Sequence, residues 1–179
     1  MGSLEYQNIK KFENNHWWYV TTHRAVEREL CRLTPNSKVL DAGCESGGLL
    51  DLLRERFQVN GFDAPIYAVR AVCERKDLSN KITQGLIETI PAKNGQFHVV
   101  TSIDVIYHLK VKSERRALME IHRILKPGGY LELQVPAFEF LRGGPDRVVH
   151  TRKRHTKSEI GGLLQEMGYK IVMIRYWYP

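Results

Sequence analysis

Lys38-Val-Leu-Asp41 is an apolar run too short for a helix, the turn from Gly43 to Gly48 is rich in glycine, and Leu49, Leu50, Leu52, Leu53 and Phe57 then recur at helical spacing. A strand that leaves its sheet through a helix comes back as a parallel neighbour, because a tight hairpin has no room for the crossover. The unit then recurs along the chain. Gln58 to Asp63 is a second strand with an acidic end, and Ile66 to Asp77 carries a helical pattern through Val69, Val72 and Cys73. Ile82-Thr-Gln84 is a weak third strand, Phe97 to Ile103 a strong fourth and Tyr130 to Val135 a fifth. Between the last two, Ser113 caps a helix with Ala117, Leu118, Ile121, Ile124 and Leu125 on its apolar face, stopped by Lys126-Pro-Gly-Gly129. Thr156-Lys-Ser-Glu159 has the capping-box form and opens a helix through Ile160, Leu163, Leu164 and Met167 that ends at Gly168. A final strand is expected from Tyr169 to Tyr178, and a first helix from Trp17 to Leu33, ended by Thr34-Pro-Asn36. This order predicts an α/β fold: a doubly wound, mostly parallel sheet with helices on both faces.

Such sheets bind ligands beyond the carboxyl ends of their strands. Attention therefore falls on residues 41–48, 63–66, 85–88 and 102–108. With 179 residues the chain suits one globular unit, read as a helical segment 1–35 followed by an α/β domain 36–179. No apolar run reaches the ~18 residues a membrane helix needs, and the N-terminus lacks a secretory stretch, so a cytoplasmic location is expected. Cys31, Cys44 and Cys73 have neither disulfide-like nor metal-ligand spacing, so no metal is expected. The net charge of +7 is concentrated in Arg115-Arg116 and in His150-Thr-Arg-Lys-Arg-His155. The first pair suits a solvated helix face. The second sits in a predicted loop, where binding groups tend to be displayed.

The turn Val39-Leu-Asp-Ala-Gly-Cys-Glu-Ser-Gly-Gly48 lets a ligand approach the backbone closely. A dinucleotide fingerprint needs glycine where Glu45 stands, and a carboxylate there repels a pyrophosphate. A P-loop is excluded because no Gly-Lys-Ser/Thr follows. A plain glycine turn with no ligand is the competing reading. Asp63 lies about 20 residues after the turn, where a carboxylate can hold a ribose diol; it could equally cap the helix starting near Pro65.

Taken together these segments resemble the class I S-adenosylmethionine (SAM)-dependent methyltransferases, in particular the type 11-like group whose first motif reads Val-Leu-Asp-x-Gly-Cys-x-x-Gly. The resemblance runs from about His16 to Tyr176. It implies SAM as cofactor, S-adenosylhomocysteine (SAH) as product and a Rossmann-like fold. Asp41, Gly43, Cys44 and Gly47 resemble the loop around the methionine part, and Asp63 with Ala64 the ribose end. Leu86 and Ile87, within Gln84 to Pro91, look like the adenine side, and Ser102 with Ile103 the end of the fourth strand. Ile124 to Leu131 is similar to the signature before the fifth strand. His16-Trp-Trp-Tyr19 with Arg24 resembles a first helix that caps the cofactor, which would put Trp18 and Arg24 near the methionine carboxylate; these aromatics could also simply pack the helix down. Two positions depart from the pattern: Glu45 replaces the middle glycine, and Leu86 stands where many relatives have an aspartate toward adenine.

The implied reaction is direct displacement on a small-molecule or sugar-linked acceptor, an anionic one among the options. His108 is the candidate base, with a packing histidine as the alternative, and Asp104 and Tyr107 would orient it or line the pocket. His150, Arg152 and Arg154 would face the acceptor, unless the loop is merely solvated. Nucleic acid is disfavoured, since no Asp/Asn-Pro-Pro-Tyr/Phe motif and no interleaved aromatic-basic face is present. The family's last, reversed strand has no counterpart here, so either a further C-terminal segment or a second copy is expected to cover the sheet edge. A SAM-binding or regulatory subunit of the same fold is the alternative function.

Overall fold

The computed structural model describes residues 10–75 and 77–177. The first nine residues and Tyr178, on which parts of the expected N-terminal segment and last strand fall, lie outside them. Five strands form one parallel sheet in the order β3-β2-β1-β4-β5. They are β1 (Lys38–Ala42), β2 (Gln58–Asp63), β3 (Ile82–Gln84), β4 (Phe97–Ile103) and β5 (Leu125–Gln134). The chain winds outward from β1 to β3, returns to β4 beside β1 and continues to β5. Winding reverses between β1 and β4, the place where such sheets open a cleft.

Alternation along the central strands assigns the two faces. Val39, Val59 and Val99 pack with Val26 and Leu30 of α1 (Trp17–Leu30), Leu49, Leu50 and Leu53 of α2 (Gly48–Leu53) and Val72 of α3 (Ile66–Cys73). Leu40 and Val100 point the other way. They join Ala117, Leu118, Ile121 and Ile124 of α4 (Glu114–Ile124) and Ile160 of α6 (Lys157–Glu166). The expected caps are present: Ser113 Oγ accepts from the Arg116 amide at 3.2 Å, and Thr156 and Glu159 form the reciprocal box. The short α5 (Gly144–Val148) lies between β5 and α6.

Two boundaries differ from the sequence reading. β5 begins at Leu125, which pairs with Phe97, before Lys126-Pro-Gly-Gly129 bulges out and pairing resumes at Val99 with Tyr130. The strand expected from Tyr169 does not form within the described residues. A strand exists only through a ladder partner, and this segment crosses the sheet edge without pairing to β5. It is tied down by side chains instead: the Tyr169 hydroxyl donates to Leu118 O at 2.8 Å, Arg175 pairs with Glu29 at 2.9 Å, and Tyr176 lies against Phe138. A groove of about 1590 Å³ remains between the segment and β5. No described helix is long and apolar enough to cross a membrane.

Candidate cofactor and acceptor site

The carboxyl ends of β1, β2 and β4 converge on the turn after β1. Gly43 has φ +91°, and a Cβ there would overlap Val105; Gly47 has φ +83°. Both positions therefore need glycine. Glu45 is also left-handed, at φ +46°. The turn is tied to the next strand by Asp63, whose two oxygens accept from the Glu45 amide at 2.8 Å and the Ala64 amide at 2.7 Å. Asp63 caps no helix: the N-cap of α3 is Pro65, without a side-chain bond. Each Asp63 oxygen keeps a free lone pair, so a ribose hydroxyl can still donate to it.

Acidic groups crowd this cleft, and burial sets their chemistry. Asp41 is 4% exposed and accepts from Thr101 Oγ1 at 2.7 Å. Desolvation pushes its carboxyl up to about 7 against that bond, and Asp63 adds to the rise. Glu45 is pushed up to about 8 by burial and then by Asp63, Asp104, Glu13 and Asp41. Asp104, left-handed at φ +58°, is raised to about 7 by burial, opposed by the Gln134 amide and Arg154. Asp63 is raised by desolvation as well, against its two backbone bonds. Cys44 is buried, and desolvation followed by the Asp41 and Asp63 charges raises its thiol, so it is a packing residue rather than a nucleophile.

Ser102 at the end of β4 is fully buried, and its hydroxyl has no hydrogen-bond partner. A buried orphan hydroxyl is costly unless a ligand satisfies it. Ile103 follows it, half-buried. Beyond β3, Ile87 is buried while Leu86 is exposed, giving an apolar shelf without a carboxylate. Gln84 Nε2 donates to Ala64 O at 2.8 Å, joining that shelf to the Asp63 end. Ribose acceptor, apolar shelf, orphan hydroxyl and clustered negative charge fit a cationic adenosyl ligand, and they do not suit a pyrophosphate.

The N-terminal segment closes over this arrangement through residues the sequence did not single out. Glu13, 3% exposed, accepts from Ser46 Oγ at 2.5 Å and pairs with Arg75, whose Nε donates to Ser46 O at 2.8 Å. Burial holds the Tyr19 hydroxyl protonated, and the charges of Glu45, Glu13 and Asp104 act in the same direction. His23, packed near Gly48, is lowered to about 4 by burial and by Arg75. Trp18 is half-buried and meets Trp177. Arg24 is exposed and paired with Glu27 on its own helix at 2.9 Å; the guanidinium beside the loop is that of Arg75.

On the acceptor side, Tyr107 is 5% exposed, and its hydroxyl is held protonated first by burial and then by Asp104 and Glu45. Trp18, Asp104 and Tyr107 also border the β5 groove. His108 is lowered to about 4 by burial and by His150, whose ring centroid lies 5.5 Å away. Its Nδ1 accepts from the Lys110 amide at 3.1 Å, which leaves Nε2 as the N–H nitrogen. The run 150–155 is neither a free basic display nor a solvated loop. Arg152 pairs with Glu114 at 2.9 Å, Arg154 with Asp146 at 2.8 Å, and His155 with Glu114 at 3.2 Å. His150 is left-handed at φ +55° and its carbonyl accepts from Leu109. The described residues contain no group of three or more His, Cys, Asp or Glu placed to hold a metal.

Comparison with known proteins agrees with this geometry. The model of a methyltransferase domain family matches residues 17–174. The "Probable S-adenosylmethionine-dependent methyltransferase" of Mycolicibacterium smegmatis is 30% identical over 166 residues, covering 89% of this chain and 61% of the relative, so the chain spans about three fifths of that relative's length. The tRNA (carboxymethyluridine(34)-5-O)-methyltransferase ALKBH8 of Macaca fascicularis is 34% identical over 60% of this chain and 16% of its own length. A SAM-dependent methyltransferase of Aquifex aeolicus shares the fold, with a TM-score of 0.69 at 18% identity over 94% of this chain and 88% of its own. With the glycine turn, the Asp63 end and the parallel sheet in place, the chain belongs to the class I SAM-dependent methyltransferase family.

Proposed function

We propose that this chain binds SAM in the cleft beyond β1, β2 and β4 and transfers its methyl group to a small-molecule or sugar-linked acceptor. The observation that carries the reading is the convergence of Gly43, Asp63 and the unpartnered Ser102 hydroxyl at one end of the sheet. Asp41, Gly43, Cys44 and Gly47 shape the loop, Asp63 and Ala64 hold the ribose, Leu86 and Ile87 the adenine, and Ser102 and Ile103 close the floor. The segment through α1 caps the site, with Trp18 over it. Bound SAM supplies an electrophilic methyl on a sulfonium. The protein's task is to place an acceptor atom in line and exclude water, which can lower the barrier by several kcal/mol, up to about 7–11 kcal/mol in well-oriented cases.

Asp104 takes the proton where the acceptor loses one. It is half-buried and desolvation holds it near 7, whereas His108 is held near 4 with Nδ1 occupied. Tyr107 orients the acceptor by hydrogen bonding. Arg152 and Arg154 hold the loop that carries the acceptor wall, rather than binding an anion themselves. Because those cations are spoken for, a nucleic-acid acceptor is disfavoured.

The test is transfer from methyl-labelled SAM to a panel of amines, hydroxy acids, sugar conjugates and bulk tRNA. Transfer to a small acceptor, abolished by Asp63→Ala, supports the reading. Transfer to tRNA alone overturns the acceptor class. Tight SAM binding with no transfer to any class favours the regulatory-subunit alternative.

A further inference from the structure

His155 is 3% exposed, so little solvent reaches its ring. Its Nε2 lies 3.2 Å from Glu114 Oε2, and a carboxylate that is also paired with Arg152 can only accept, so Nε2 carries the proton. Nδ1 is then an acceptor, and among the described residues it has no hydrogen-bond partner. The chain is pinned on either side of the ring: Arg152 pairs with Glu114, and Arg154 with Asp146 and with Ala137 O at 2.8 Å. The His155 amide donates to Pro136 O at 2.9 Å, two residues beyond Gln134, whose carbonyl accepts from the Asp104 amide at 3.1 Å. One short stretch leaving β5 therefore anchors both Asp104 and His155. Both residues line the β5 groove that Trp18 and Tyr107 also border, while Glu114 lies outside that lining. The ring spans from α4 to the groove wall, and Nδ1 is the polar atom it has left for an occupant.

We propose that His155 is a specificity residue for the methyl acceptor: its Nδ1 accepts a hydrogen bond from a hydroxyl or amine of the acceptor other than the group that is methylated. The acceptor class is thereby an amino alcohol or a polyol, free or sugar-linked, rather than a compound with a single polar group. This rests on methyl transfer in the adjoining cleft, as proposed above. Asp104 takes the proton of the reacting atom there, which leaves His155 to read a second donor. A neutral imidazole held in one tautomer offers a lone pair and no donor at Nδ1, so it matches an O–H or N–H and leaves an ether or carboxylate unpaired. A site shaped around a donor rejects the analogue that lacks it, because the buried acceptor is then stranded. Glu114 is the positioning residue of the pair, since its carboxylate fixes the tautomer and the ring plane.

The experiment is steady-state transfer from methyl-labelled SAM by the whole chain, with ethanolamine compared against ethylamine and methyl glucoside against cyclohexanol. At least one of the two probes with several donors is expected to be methylated, with a KM about tenfold or more below that of its single-donor counterpart, equivalent to about 1.4 kcal/mol. His155→Gln keeps an amide nitrogen where Nε2 stands, and with it the tie to Glu114, but places nothing at Nδ1. It is expected to raise that KM about tenfold, with kcat and the Kd of SAM within about threefold. His155→Asn places its amide oxygen at the Nδ1 position and gives up the tie to Glu114; it is expected to recover most of the loss. Retained SAM binding shows that both variants are folded. A KM unchanged in His155→Gln, or raised at least as much in His155→Asn, would reduce the ring to its tie with Glu114 and overturn the proposal while methyl transfer stands. No transfer to either probe with several donors, in a chain that binds SAM, would overturn it and leave the cofactor reading intact. Failure to bind SAM would overturn both.

Discussion

Replacing Gly43 by alanine probes how tightly the cofactor loop is built. At φ +91° an L side chain enters the left-handed region, which costs about 1–2 kcal/mol. Its Cβ would also overlap a Val105 methyl, and overpacking of this kind costs about 1–3 kcal/mol. The sum, about 2–5 kcal/mol, is a large part of the 5–15 kcal/mol typical of a domain. Val105→Ala in the same background removes the overlap and leaves the backbone cost. Urea unfolding of both single variants and the double variant, read at constant slope, gives the coupling directly. The double variant is expected to recover about 1–3 kcal/mol relative to the sum of the singles. A Gly43→Ala cost below about 0.5 kcal/mol with no coupling would refute the reasoning, because it would show that the loop relaxes away from Val105.

Four further outcomes follow from the site. Asp41, Glu45 and Asp104 bind protons in the folded chain that the unfolded chain has released, so their stability contribution is complete below about pH 4 and is lost as the pH rises through 7–8. Asp146 works in the opposite sense: the Arg154 bond lowers it to about 2, so its contribution is present above the ordinary carboxylate range and lost as the pH falls toward 2. The urea midpoint of the ligand-free chain is therefore expected to be higher at pH 5 than at pH 8.5, and a profile that rises over this window contradicts the assignment. Arg154→Ala strands the buried Asp146 carboxylate and is expected to cost about 2–4 kcal/mol in the same assay. Thr156→Ala removes the α6 cap and is expected to cost about 1 kcal/mol, with Thr156→Ser near neutral. With an acceptor that must lose a proton, Asp104→Asn is expected to lower kcat by about 10²-fold or more while SAM affinity changes little, and His108→Ala to leave kcat within about threefold; the reverse ranking would restore His108 as the base.

Periodicity made the sheet legible because burial on two faces writes itself into adjacent residues. Val39 and Leu40 point to opposite cores, as do Val99 and Val100, and the helices between them follow suit. The glycine turn was legible for a similar reason, since Gly43 and Gly47 are local demands of the backbone. What escaped was long-range. The strand expected at Tyr169 has the right composition but lacks a ladder partner, and composition cannot supply one. In sequence the run from His150 to His155 reads as acceptor-facing or merely solvated charge, because its partners, Glu114 and Asp146, are distant or unremarkable there. Glu13 and Arg75 left no sequence signal, since the pair bridges 62 positions and means something only once both reach Ser46. The resemblance points to Arg24, while the structure sets Arg75 beside the loop.

On the function proposed above, SAM binds at the carboxyl ends of β1, β2 and β4. The most direct test is amide chemical-shift mapping of the labelled whole chain on titration with SAM. The expected result is saturable shifts concentrated at Gly43 to Gly47, Asp63 and Ala64, Leu86 and Ile87, and Ser102 and Ile103, all lost in Asp63→Ala at the same SAM concentration. Shifts confined to the groove along β5, or none at millimolar SAM, would contradict it.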